Sequence, residues 1–120
     1  VSDIRPLVEE ALKTEGFGVL TEIDIQATMK KKLDKDYLPY LILGACNPVY
    51  ADKVLSVDPN MGIMLPCNVT IRELETGEVE IAAIDALSAM GAIGNNDLEV
   101  PASDINEKLL RVLNAIKNHK

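Results

Sequence analysis

The run Leu41-Ile42-Leu43-Gly44-Ala45-Cys46, closed at once by Asn47-Pro48, constrains the fold of this chain more than any other stretch. Six residues without a polar position fall far short of a membrane span, which takes about 18 to 20. They fit an inner strand covered on both faces. Asn47 followed by Pro48 is a helix start, with Asn as N-cap and Pro at the first helical position, so a helix through about Val57 follows the strand directly. An inner strand needs a neighbour on each side, and the rest of the chain supplies them.

Phe17, Val19, Thr21, Ile23 and Ile25 alternate with polar Glu22 and Asp24, which predicts a strand with one wet face. From Met61 to Leu74 the pattern is strand again, with Cys67, Val69 and Ile71 on one face and Asn68, Thr70 and Arg72 on the other. Pro66 there points to an edge or a bulge. The turn residues Glu75-Thr76-Gly77 and the renewed alternation at Val79, Ile81 and Ala83 make a hairpin. Matching its apolar faces sets Ile71 opposite Ile81, Val69 opposite Ala83 and Cys67 opposite Asp85.

Helical spacing appears at Ile4, Leu7, Val8, Ala11 and Leu12, with Asp3 as the expected N-cap, Pro6 in the first turn and Gly16 as the stop. Ile25, Met29 and Leu33 predict a short helix with Lys30, Lys31, Lys32 and Lys35 on its outer side. The small-residue stretch from Ala86 to Val100 reads as a helical turn and a loop. A last helix carries Ile105, Leu109, Val112 and Ile116 inward, with Asp104 and Glu107 resembling a capping box. With no linker and no repeat, residues 1–120 form a single compact α+β domain, an antiparallel-rich sheet with helices packed on it.

Composition narrows the function. The chain carries 12 Lys plus Arg against 19 Asp plus Glu, a net charge of −7, with 48% hydrophobic and only 3% aromatic residues. Its core must therefore be aliphatic, and disorder and a disulfide scaffold are excluded. It has neither the cationic field nor the stacking platforms of a nucleic-acid binder. No nucleic acid and no membrane are expected as partners. Two cysteines make no disulfide framework and no signal-peptide pattern is present, so a reducing cytoplasm is the expected location.

Chemistry rests on those cysteines. Cys46 closes the inner strand just before a helix start, where amide donors and the helix dipole stabilise a thiolate. Cys67 stands in Leu65-Pro66-Cys67-Asn68, so the pair Cys-Asn occurs twice. If their strands are neighbours, the two sulfurs share one pocket; the competing reading is that both are buried small hydrophobes. A metal site needs three or four ligands, and Cys46, Cys67 and at most Asp85 do not form a zinc signature. His119, near the C-terminus, reads as a solvated tail residue rather than a ligand. Asp85 either faces Cys67 or caps the turn that follows it.

Other patterns carry less. Gly16-Phe17-Gly18 lacks the third glycine of a dinucleotide loop, and the Lys30–Lys32 run reads as a solvated helix face diluted by Asp34 and Asp36. Glu22 and Asp24 could form an acid-base pair, but solvent-facing alternation accounts for them. Asn68-Val69-Thr70 is a glycosylation sequon placed in a strand.

At Gly16-Phe-Gly-Val-Leu-Thr-Glu-Ile-Asp24, Leu43-Gly-Ala-Cys-Asn-Pro48 and Leu65-Pro-Cys-Asn-Val69 the chain resembles the domain of unknown function 302 family, from about Glu10 to Met90. The resemblance implies a small α+β protein of bacterial or archaeal type. It also carries the family's two hallmark cysteines onto Cys46 and Cys67, with neighbours Asn47, Pro48, Pro66 and Asn68. Two features depart from the pattern: Asp85 is followed by Ala86 instead of proline, and the sequence starts almost at the first helix, where the resemblance leads one to expect a preceding edge strand. No activity follows from the resemblance, so neither an enzymatic reaction nor a cofactor is assigned.

The leading expectation is a small-ligand or metal-binding module, with thiol-redox chemistry as one version. Its pocket is lined by Cys46 and Cys67, with Asn47, Pro48, Asn68 and Asp85 as ligand-binding partners and the two cysteines as any metal's ligands. The alternative is an interaction module that homodimerises or docks through a sheet edge, both cysteines being core.

Overall fold

The structure, a computed structural model, describes residues 1–91 and 94–117; His119 lies outside them. Four strands, β1 (Gly18–Asp24), β2 (Tyr40–Cys46), β3 (Cys67–Glu73) and β4 (Val79–Ala83), form one antiparallel sheet in the order β1-β2-β3-β4. The α+β class read from the sequence is thus the observed one. β2 is an inner strand, as its apolar run requires, and the hairpin register pairs Ile71 with Ile81 and Val69 with Ala83 as expected. Helices α1 (Arg5–Thr14), α2 (Ile25–Leu33), α3 (Pro48–Val57), α4 (Ala86–Gly91) and α5 (Glu99–Lys117) complete the domain.

The core lies on one face of the sheet. Leu43 and Ala45 of β2 and Cys67, Val69 and Ile71 of β3 point into it, against Val8 and Leu12 of α1 and Ile105, Leu109 and Val112 of α5. The opposite face carries Ile42 and Thr70, half-buried, and Asn68 and Ala82, exposed. The expectation that β2 is fully covered on both sides is therefore corrected: the helices that fill the core all lie on one side.

A bulge alters the face assignment of β1. Val19 pairs with Ala45 but Thr21 pairs with Gly44, leaving Leu20 as the extra residue, 67% exposed. One inserted residue flips every later side chain. Phe17 and Val19 face the core, while Thr21 and Ile23 share the open face with Gly44 and Ile42, so the five residues read as one face are split. Glu22 is turned toward α1, where Arg5 Nε donates to its carboxylate and Arg5 Nη1 to Glu9 at 2.8 Å. Both acceptors raise the Arg5 pKa further above its ordinary value.

Local chemistry corrects other boundaries. Asp58 Oδ1 accepts from Asn60 N–H at 2.9 Å and opens a 3₁₀ helix over Pro59–Met64, so the strand expected from Met61 begins only at Cys67. Pro66 precedes an inner strand rather than marking an edge. Asn95 Oδ1 accepts from Asp97 N–H at 3.0 Å and opens a second 3₁₀ turn that runs straight into α5 at Glu99. Asp104 and Glu107 therefore lie inside α5 and form no capping box at its start. The backbone N-cap of α1 is Ile4, without a side-chain cap, rather than Asp3. Gly16 does end the α1 segment, with φ +85°.

Candidate functional site

The antiparallel register brings the two cysteine segments together. Ala45 of β2 is the partner of Cys67 in β3, so Cys46 is offset by one residue from Cys67 across the same pair of strands. On regular sheet geometry that offset spaces their Cα atoms by about 6 Å but directs their Cβ atoms to opposite faces, Cys67 into the core and Cys46, like Ile42 and Gly44, toward the open face. Both are free thiols. They line one small cavity with Phe17, Asn47, Tyr50 and Ile105, of about 10 Å³. That is the volume of a single water at most.

The two thiols differ in setting. Cys67 is 4% exposed, and burial, with a smaller contribution from Cys46, pushes its thiol up to about 11. Cys46 is half-buried at the end of β2, where the β2–β3 ladder has already finished and α3 begins.

Asn47 occupies the N-cap position of α3 with extended backbone, but its side chain makes no cap bond. Instead Asn47 Nδ2 donates to the carbonyl of Glu15 at 3.2 Å, tying the start of α3 to the α1–β1 turn. The close approach requires Gly16, where an added Cβ would sit 3.0 Å from Asn47 Nδ2. Asn47 is the one polar residue of the buried set among the described residues. Pro48 takes the first turn of α3 and is exposed. Asn68 is exposed, on the face opposite Cys67, and its carbonyl accepts from Ile84 N–H at 3.1 Å.

Asp85 is not among the residues that line the cavity of the cysteines. β4 ends at Ala83, and Asp85 Oδ1 accepts from Ser88 N–H at 3.0 Å, capping α4, and from Asn106 Nδ2 at 2.8 Å. These donors, the Ser88 amide first, hold its carboxyl below its ordinary value. It lines a different cleft, with Leu109 and Leu113 of α5. The expected third partner of the thiols is thus occupied in capping a helix. Glu22 and Asp24 are likewise engaged, Glu22 with Arg5 and Asp24 as the side-chain N-cap of α2. Among the described residues no three His, Cys, Asp or Glu side chains gather closely enough to hold a metal ion. Two thiols alone do not fit the three or four ligands of a zinc site.

Sequence reasoning missed Tyr50 and Phe17 as walls of the cavity. Tyr50 follows Asn47 by three residues, one helical turn, and that spacing is the signal that could have found it. Its ring lies 4.9 Å from Lys53 Nζ and 5.7 Å from Lys108 Nζ.

A four-stranded antiparallel sheet with helices packed on one face defines the class: a small α+β domain. The family model for the domain of unknown function DUF302 matches residues 1–116, and the chain belongs to that family. A crystal structure of an uncharacterized conserved DUF302 protein from Bacillus stearothermophilus is similar to it, with a TM-score of 0.89 and 29% identity, over 96% of this chain and 89% of that one. An uncharacterized protein of Aquifex aeolicus (strain VF5) is 30% identical over 83 residues, which is 69% of this chain and 51% of the relative. The chain thus spans about half the length of that curated relative. No helix among the described residues is long and apolar enough to cross a membrane.

Proposed function

We propose that the chain is a dithiol module that exchanges two electrons with a disulfide-bearing partner, Cys46 acting as the attacking thiol and Cys67 as the resolving one. The observation that carries this reading is that two free cysteines of unequal exposure, one residue out of register on neighbouring strands, line one cavity too small for a ligand beyond the size of water. The Cys46 thiolate attacks one sulfur of the partner disulfide and expels the other as thiolate. Cys46, at the end of β2 where the β2–β3 ladder has stopped, swings toward Cys67, which gives up its proton and attacks Cys46 Sγ, releasing the partner's second thiol. The partner gains two electrons and two protons, and the chain keeps a Cys46–Cys67 disulfide until a dithiol reductant reopens it. A thiol pushed up to about 11 suits the second role, since it stays protonated until a mixed disulfide is placed beside it.

Incubation with glutathione disulfide, followed by alkylation and intact-mass measurement, tests the proposal. The expected product is a chain lighter by two hydrogens, with Cys67→Ser instead trapping a glutathione adduct on Cys46. Thiols that both survive oxidising glutathione, together with Cys→Ser variants that lower only stability, would make the pair core residues and overturn it. Extra mass in the native spectrum that is lost on denaturation and absent from both serine variants would replace it with a ligand site.

A further inference from the structure

We propose that the chain pairs with a second copy of itself through the sheet end that carries α2 and the β3–β4 hairpin, the lysines of each α2 lying against the glutamates of the other copy's hairpin. This rests on no part of the thiol chemistry. The β1–β2 connection and the hairpin turn leave the sheet at the same end, and between them lies an open groove of about 620 Å³. Its floor is apolar, with Tyr37 (41% exposed), Leu38 (45%) and Leu74. Beside it α2 has no fully buried residue and shows Leu33 at 60% exposure. A nine-residue helix that buries none of its residues fully is marginal in water, so a covering surface stabilises it.

Charge indicates what covers it. Lys30, Lys31, Lys32 and Lys35 are four of the chain's 12 basic residues, and Glu73, Glu75, Glu78 and Glu80 stand together on the hairpin. Lys30 is engaged by Asp34 at 2.9 Å and Asp36 at 3.3 Å, and Glu80 by Arg72 at 2.7 Å. Among the described residues, Lys31, Lys32 and Lys35 and Glu73, Glu75 and Glu78 have no ion-pair partner within the chain. The groove itself is lined by Asp36 on the connection side and by Arg72, Glu73 and Glu75 on the hairpin side, while the lysines belong to the stretch of the β1–β2 connection just before Asp36, so basic and acidic groups lie on the two connections that leave this end of the sheet and form a self-complementary patch. A two-fold axis through the groove lays each side on its opposite, the geometry of an isologous dimer.

Charge exchange tests the contact in sedimentation velocity. The wild-type chain should sediment as a dimer. Lys31→Glu/Lys32→Glu/Lys35→Glu and, separately, Glu73→Lys/Glu75→Lys/Glu78→Lys should each weaken pairing about tenfold or more. The second triple change moves the net charge from −7 to −1, three substitutions of two charges each, and so relieves long-range repulsion. Dissociation of that variant therefore reports the local contact. Mixing the two variants should restore a one-to-one heterodimer, because both contacts are then complementary. A wild-type chain that stays monomeric, a dimer indifferent to both exchanges, or a mixture that fails to pair would each overturn the proposal. Far-UV circular dichroism on each variant verifies that it is folded.

Discussion

Gly44 shows how a single missing side chain sets the spacing of strands. An added Cβ would press on Thr21 Oγ1 across the β1–β2 pair and lie 2.8 Å from Pro66 Cγ, both on the open face. Gly44→Ala must push one of them away, and we expect a loss of about 1–3 kcal/mol in urea unfolding. The sequence displayed Gly44 only as a small residue in an apolar run. Its necessity comes from a threonine and a proline 23 and 22 positions away. Asn47 is the converse case: its place at the start of α3 was legible, but its side chain serves Glu15 across the fold. Asp85 had two readings, and it caps α4 because β4 stops two residues short of it.

At the scale of elements, local signals sufficed where both ends of a helix are closed by nearby groups. α2 is the clearest example, capped by Asp24 Oδ1 on Ala27 N–H at 2.9 Å and ended by Asp34 at φ 53°. Asp24→Ala should cost this helix about 1 kcal/mol, seen as roughly fivefold faster amide exchange over residues 25–33. Because α2 buries none of its residues fully, the global unfolding midpoint should move less than that exchange rate implies. The bulge at Leu20 was not legible. Period-two alternation continues through it unbroken, and only pairing with β2 reveals which residue has no partner. The 3₁₀ helix at Pro59–Met64 was hidden for a related reason, since Met61, Ile63 and Leu65 mimic a strand while the Asp58 side chain turns the backbone.

At the scale of the whole molecule, titration of buried and capped groups sets the pH range of stability. Cys67 has its pKa raised by folding from 9.0 to about 11, so its neutral form is the one the folded state favours. That contribution is complete below the unfolded value and is lost as pH rises through the interval. Thermal midpoints should fall over this alkaline range in the wild type and less so in Cys67→Ala. The depressed Asp85 carboxyl works in the opposite sense: its contribution is present above the ordinary carboxylate pKa, near 4, and is lost as pH falls. Asp85→Asn should flatten the acid limb of the same curve.

The sequence by itself determined the class of fold, the inner position of β2, the hairpin register and the family, because these depend on periodicity, turn chemistry and short motifs that neighbouring residues encode together. Tertiary structure alone decided that the sheet is covered on one face, that β1 changes face at Leu20, that Cys46 and Cys67 line a cavity without Asp85, and that the β1–β2 connection and the hairpin flank one groove. Each of these is a relation between segments distant in the chain, and its energy resides in contacts that exist only after the strands have paired.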